Sequence, residues 1–334
     1  MGVLHAMGVG GPRSGVMKAV RIATFGGPNV LKYEDAPVPE PGPGEALVRV
    51  YAAGVNPIDW KTREGQLEGR VHHHLPLVLG WDVAGQIERL GPGASGFAPN
   101  ESVFGRSDMS RDGSYAEMVV VRTDELARQP VTLRFAEAAA VPLAALTAWQ
   151  ALFDAPAPYS SLELQSGQTL LLHGAAGGVG TFALQLAKWK GARVIATASK
   201  RNVAFLEKLG ADRVIDYEKE RFEDHVEEVD AVLDTVGGET LARSWAVLRR
   251  GGILASTTMR LPQEEARAHG ARTAYVLVQP NPRQLEVIAR LIDARVIRPI
   301  VSEVFPLQDA HRAHELSRRG HVRGKIVLEV RTQP

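Results

Sequence analysis

The chain contains no cysteine. That absence removes disulfide bonds, thiolate nucleophiles and cysteine-ligated zinc together. Net charge is almost absent as well: 39 basic side chains against 38 acidic ones leave +1. Nothing in that balance recruits nucleic acid or an anionic membrane. No apolar run approaches the roughly 18 residues of a membrane span. No Ser–His–Asp order or His-Glu-x-x-His motif stands out, so serine hydrolysis and zinc proteolysis have no support. Residues 1–16 are glycine-rich, with too short an apolar stretch for a secretory signal. The chain reads from Met17-Lys-Ala-Val-Arg-Ile22, so those sixteen residues are expected to be a disordered extension or an upstream start. The expected compartment is the cytoplasm.

What is present is a strong local pattern. Leu170-Leu-Leu-His-Gly-Ala-Ala-Gly-Gly-Val-Gly180 joins an apolar run to a glycine-rich turn, which opens into the helical pattern Thr181-Phe-Ala-Leu-Gln-Leu-Ala187. A dinucleotide site requires that order. A strand ends, small residues let the backbone approach a pyrophosphate, and a helix N-terminus offers unpaired N–H groups. The usual Gly-x-Gly-x-x-Gly is here Ala175-Ala-Gly177-Gly-Val-Gly180. Glycine turns alone are common; the strand before, the helix after and the apolar Arg193–Ala196 beyond give this one its meaning.

The 334 residues allow about two domains. Short strands separated by Pro and Gly fill residues 17–140, at Met17–Ala23, Glu45–Ala53, Val83–Leu90 and Ala116–Val121. Helical spacing follows over Ala136–Leu152, broken early by Pro142. Strands and helices then alternate. Strands are expected at Thr169–His173, Arg193–Thr197, Arg213–Asp216, Ala231–Asp234, Gly252–Ser256 and 272–278. Helices are expected at Gly180–Lys190, Asn202–Leu209, Glu239–Leu248 and 282–294, with Glu218–Glu228 as a solvated helix face. Alternation of this kind predicts a doubly wound parallel sheet of the α/β class. Strand character returns at Ile297–Val304 and Lys325–Val330, which points to a discontinuous first domain.

The end of the second strand of that sheet distinguishes the two nicotinamide cofactors. An NAD site carries an acid there for the ribose. Here the segment reads Thr197-Ala-Ser199-Lys-Arg201-Asn, with a hydroxyl and two cations in place of a carboxylate. This favours NADP(H), the alternative being that Lys200 and Arg201 only solvate a helix start. Tyr217 ends the third strand, where it serves either as rim packing or as an adenosine contact. Asp234-Thr-Val236-Gly-Gly238 ends the fourth at the same sheet edge, and Val236 is placed among the cofactor contacts. His72-His-His74 resembles a metal cluster, but alternate side chains of an extended segment diverge, so a polar loop is expected. His173 reads as a satisfied core histidine.

Several further segments resemble the medium-chain dehydrogenase/reductase superfamily, and within it the zinc-independent quinone oxidoreductases related to zeta-crystallin. They are Ala52-Ala-Gly-Val-Asn-Pro-Ile-Asp59, Leu79-Gly-Trp-Asp-Val-Ala-Gly85, Asp112-Gly-Ser-Tyr-Ala-Glu117, Ala140–Trp149 and Gly320-His-Val-Arg-Gly-Lys-Ile-Val327. The departures matter too. Asn56 stands in the region of the zinc enzymes' cysteine, and Trp81-Asp82 replaces their His-Glu. No metal is expected. The resemblance implies a GroES-like β-rich domain from residues 17–140 and 300–334, and a Rossmann domain over 141–299 with the cleft between. It implies that Asn56 and Thr147 approach the nicotinamide, while Ala176, Gly177, Gly178 and Val179 hold the pyrophosphate. Ser199, Arg201 and Tyr217 would hold the 2′-phosphate, and Gly324 and Lys325 would fold back onto the cofactor. Asn56, Asp59 or Tyr51 would hydrogen-bond the acceptor. The expected activity is NADPH-dependent reduction of a quinone or α,β-unsaturated carbonyl. The alternatives are a zinc-free alcohol or ketone reductase and an NADPH-binding sensor or structural protein. A homodimer is expected, paired through 272–278.

Overall fold

A computed structural model describes residues 15–332. The expectation of a disordered extension therefore lies outside the described residues for 1–14, while Val16 already belongs to the first strand. The β-rich part begins with β1 (Val16–Ile22), β2 (Lys32–Pro37) and β3 (Glu45–Val55). A short helix α1 (Pro57–Arg63) follows, then β4 (Leu77–Val78), β5 (Asp82–Leu90), β6 (Ser102–Arg106), β7 (Met118–Arg122) and β8 (Leu126–Arg128). Two helices, α2 (Phe135–Ala139) and α3 (Pro142–Leu152), lead out of it; proline at the first position of α3 separates them.

The central block runs β9 (Thr169–Leu172), α4 (Gly178–Lys190), β10 (Arg193–Ala198), α5 (Val203–Leu209), β11 (Arg213–Asp216) and β12 (Val229–Asp234). It continues through α6 (Gly238–Arg243), β13 (Leu248–Ser256), α7 (Gln263–Ala268), β14 (Arg272–Tyr275) and α8 (Pro282–Asp293). Its six strands are all parallel, in the order β11-β10-β9-β12-β13-β14. That is the doubly wound order, whose direction reverses between β9 and β12. The interior residues Leu170, Leu171 and Leu172 of β9 are wholly buried, as a strand covered on both faces requires.

The chain then returns to the first sheet through β15 (Val301–Pro306), α9 (Ala310–Arg319) and β16 (Lys325–Glu329). The larger β-sheet has the order β15-β16-β3-β5-β6-β8, with β7 also on β3, and β2-β1-β4 forms a smaller one. The pairing of β16 with β3 sets Ile326 opposite Val55, which brings Lys325 beside Asn56.

Four expectations need correction. Glu218–Glu228 is no helix. It is a turn followed by a 3-10 turn at Phe222–Asp224, and it buries Phe222 and Val226 in the core with Leu241 and Trp245. The sixth strand stops at Tyr275, because Gln279 is drawn to the buried Gln150 by two hydrogen bonds of 2.8 and 2.9 Å. The 239–248 helix tightens after Arg243 into a 3-10 turn over Ser244–Val247. The last parallel strand begins at Val301, since the Arg298 backbone is held by Gln185 on both its N–H and its carbonyl. The strand expected to pair across a two-fold, β14, is an edge of its sheet.

Leu172 links the sheet's stability to the turn above it. Its truncation to Ala leaves a cavity at the centre of the sheet and is expected to cost about 2–5 kcal/mol, read as a lower urea midpoint with an unchanged m-value.

Candidate functional site

The crevice above β9 and β12 lies at the point where the strand order reverses, where open α/β sheets bind their ligands. The turn leaving β9 is built to approach something closely. A Cβ on Gly180 would lie 2.4 Å from the Gly174 carbonyl oxygen, so the turn itself demands glycine there. A Cβ on Gly177 would meet nothing nearer than 3.4 Å, so that glycine keeps space open rather than relieving a clash. Behind it stand the free N–H groups of the thirteen-residue α4.

A cavity of ≈ 500 Å³ opens above this turn. Among the residues singled out from the sequence, Asn56, Ala176, Gly177, Gly178, Val179, Ser199, Tyr217, Val236, Gly324 and Lys325 line it. Leu143, Ala144 and His321 also line it, and no pattern in the sequence had marked them as site residues.

Four expected residues do not line the cavity. Tyr51 stacks on Phe135 at 4.3 Å between ring centroids, and its hydroxyl lies 3.2 Å from Gln86 Oε1. Asp59 is wholly buried beneath Asn56. Thr147 donates its hydroxyl to the Leu143 carbonyl at 2.7 Å, and Leu143 and Ala144, one turn earlier, form the wall instead. Arg201 donates to the His321 carbonyl at 2.6 Å and so clasps the C-terminal segment. Strand alternation and helical phase decide these placements, which a motif alone does not carry.

The cavity floor is polar and closed. In most helix starts an Asn cap bonds a backbone N–H with its side chain. Here the Asn56 backbone carbonyl takes the Asp59 N–H at 3.0 Å, while the Asp59 carboxylate takes the Asn56 N–H at 2.8 Å. The Asn56 side chain is thereby released into the cleft floor. Its Nδ2 donates to Asp82 Oδ2 at 2.9 Å, and its Oδ1 accepts from Lys325 Nζ. Lys325 also donates to the Val55 carbonyl at 2.8 Å and lies 3.6 Å from Asp82 Oδ2. Burial pushes the Lys325 ammonium down and the Asp82 carboxyl up, and each opposes the other's shift. In the sequence Asp82 stood out only as half of the Trp81-Asp82 pair that replaces the zinc enzymes' His-Glu.

A second buried chain runs outward from Asp59. Arg63 Nη1 lies 3.2 Å from His314 Nδ1, His314 Nε2 lies 3.3 Å from the Tyr115 hydroxyl, and that hydroxyl donates to Asp59 Oδ2 at 2.8 Å. Arginine only donates, so His314 is the neutral Nε2–H tautomer and every link points toward Asp59. Burial lifts Asp59 to about 7 and, with Arg63 beside it, drops His314 to about 3. No spacing in the sequence announces this chain, because its members lie on separate elements. His173 is the satisfied core histidine expected: it is wholly buried between Thr197 and Ser244 and lowered by burial to about 3. His73 Nε2 lies 2.9 Å from the Met109 carbonyl, in an irregular segment. Among the described residues no group of three or more His, Asp or Glu is placed to hold a metal.

A doubly wound sheet with a glycine turn at its switch point, facing a polar floor supplied by a second sheet, defines a dinucleotide-dependent oxidoreductase of two-domain build. Comparisons with known proteins agree. A profile described as an alcohol dehydrogenase GroES-like domain matches residues 42–131, and one described as a zinc-binding dehydrogenase matches 209–328. The mitochondrial NAD(P)H oxidoreductase RTN4IP1 of Danio rerio is 32% identical over 95% of this chain and 92% of its own. The structure of the quinone oxidoreductase from Coxiella burnetii superposes with a TM-score of 0.87 at 38% identity, covering 95% of this chain and all of that one. A mycobacterial protein solved with NADPH gives a TM-score of 0.83 at 30% identity, over 94% and 100%. The chain belongs to the medium-chain dehydrogenase/reductase family. It is an oxidoreductase of NAD(P)H-binding type.

Two predictions follow from this geometry. Gly177→Ala is expected to leave the melting temperature near wild type and to weaken NAD(P)H binding, while Gly180→Ala lowers the melting temperature itself; calorimetry with and without each dinucleotide reads both. The second concerns pH. At pH 5 the unfolded chain carries protons on His173 and His314 but not on Asp59, a total of two. The folded chain carries one, on Asp59. From these groups, stability therefore rises with pH between about 4 and 6.5, at about 1.4 kcal/mol per unit. Asp59→Asn should roughly double that slope and His314→Gln should remove it, measured by urea unfolding across the interval.

Proposed function

We propose that this protein is an NADPH-dependent reductase of quinones or α,β-unsaturated carbonyls that works without zinc. The observation that carries the reading is the ammonium of Lys325, buried between Asn56 Oδ1 and Asp82. Catalytic zinc needs about three Lewis-basic ligands and an open position. The polar side chains of this floor are an amide, one carboxylate and a cation, and the cation already holds the other two. These residues do not fit a zinc ion. A substrate alcohol would find no Lewis acid here to lower its pKa. An acceptor that is already electrophilic needs only a hydrogen-bond donor at its oxygen.

Bound NADPH would supply the hydride. The chain's own part is orientation and exclusion of water. Asn56 gives one Nδ2 proton to Asp82 and, as a residue lining the cavity, would offer its second to the acceptor oxygen. Leu143, Ala144, Val179 and Ile326 give the cavity apolar walls. No ionisable group of the floor is free to protonate the product, so that proton comes from solvent. Preference for NADPH is supported by Ser199, which lines the adenosine end where an NAD site would place an acid, with Tyr217 facing the same space.

The test is oxidation of NADPH and NADH with 1,2-naphthoquinone and with 2-alkenals. Turnover is expected on at least one class, with NADPH favoured in kcat/KM by about tenfold or more, the worth of one charge-assisted hydrogen bond. Ser199→Asp should erase that preference. Inactivity on both acceptors overturns the substrate reading, and a preference for NADH overturns the cofactor reading. Activity lost to a chelator and restored by zinc overturns the zinc-free reading.

A further inference from the structure

Lys325 lies at the start of β16 with its stem pressed under the glycine turn. A Cβ on Gly178 would lie 2.8 Å from Lys325 Cδ, and the Gly324 N–H donates to the Ala176 carbonyl at 2.8 Å. The ammonium is only 4% exposed as a residue and spends its protons on the protein: the Val55 carbonyl, Asn56 Oδ1 and the neighbourhood of Asp82. The protein's own acceptors therefore compete for its protons with any acceptor oxygen or phosphate.

What these contacts do is fix an orientation. An amide can turn over and exchange its oxygen for its nitrogen at little cost unless its neighbours object. Lysine can only donate and an ionised aspartate can only accept. Between Lys325 and Asp82, Asn56 therefore has one permitted arrangement, with Oδ1 toward the lysine and Nδ2 toward the aspartate. Without the cation, burial favours the protonated form of Asp82, which donates as well as accepts. Both amide orientations are then permitted, and one of them shows the cleft an acceptor instead of a donor.

Resting on the reductase reading above, we propose that Lys325 is a positioning residue: it does not touch the acceptor, but holds the Asn56 amide so that its N–H faces the acceptor oxygen. The side chain expected to fold onto the cofactor acts on the cleft floor.

A double-mutant cycle on the full-length protein tests this with Asn56→Ala, Lys325→Met and the two combined, reading kcat, acceptor KM and the Kd for NADPH by fluorescence. Each single variant is expected to lose about 10²-fold in kcat, as for removal of one preorganised donor, with NADPH affinity little changed. The combined variant should lose no more than Asn56→Ala alone, since Lys325 then has nothing left to position. Losses that multiply would show that Lys325 acts independently of Asn56 and would overturn the proposal. So would a Lys325→Met defect confined to the Kd for NADPH, which would make it a cofactor ligand. Lys325→Gln keeps a donor for Asn56 Oδ1 without the charge and should retain part of kcat. If Lys325→Met fails to fold by circular dichroism, the same cycle run with Lys325→Gln decides. Absence of turnover in the wild type, seen before any variant is compared, defeats the reductase reading and this proposal with it. Wild-type turnover with multiplying losses defeats this proposal alone.

Discussion

The arrangement of the cleft depends on one buried cation and the carboxylate beside it. Lys325 and Asp82 are separated along the chain by most of its length, and both are withdrawn from water. Burying either charge alone costs several kcal/mol, and removing one partner of such a pair typically costs about 3–5 kcal/mol, because the other is stranded. The pair therefore commits β16 to lie beside β3, and β3 to lie beside β5, in one register. It also sets the glycine turn, since the lysine stem fills the space next to Gly178. Stability and the shape of the cofactor crevice are consequences of the same contact.

A second layer of polar groups supports that contact from behind. The Arg63–His314–Tyr115–Asp59 chain ends on the carboxylate that caps Asn56, and all four residues are fully buried. A network of this kind is costly when incomplete and selective when satisfied. It ties α9 to α1 and leaves Asn56 little freedom to shift. Most of its links join a residue to another more than fifty positions away, which is how the two ends of the β-rich part are drawn onto one floor.

The sequence was most legible where function rests on backbone. The order of strand, glycine turn and helix located the crevice, because the tight turn demands glycine at Gly180 and a close approach from outside favours it at Gly177. The alternation from Thr169 to Ser256 foretold the doubly wound sheet for the same reason: period and punctuation are local properties. Side-chain direction is not local. Tyr51 and Asp59 sit in the motifs that reach the cleft, yet strand phase turns one toward Phe135 and helix capping occupies the other. Lys325 lines the cavity, and the contacts of its ammonium with Asn56 and Asp82 are set by the β16–β3 and β3–β5 pairings, which no local pattern displays. The acidic run after Tyr217 reads as a solvated helix face from its charges alone, whereas its two apolar residues, Phe222 and Val226, plug a loop into the core.

The crossover of the chain back to its first sheet has a consequence for how the protein comes into being. Asn56 and Lys325 are 269 residues apart, and every element of the parallel sheet is synthesised between them. During synthesis the glycine turn and its crevice can form while Asp82 still lacks its cation, leaving an amide with no fixed direction at the floor. A nascent chain can therefore fold its nucleotide-binding half before it owns a working cleft. The cleft floor is complete only once β16 lies beside β3.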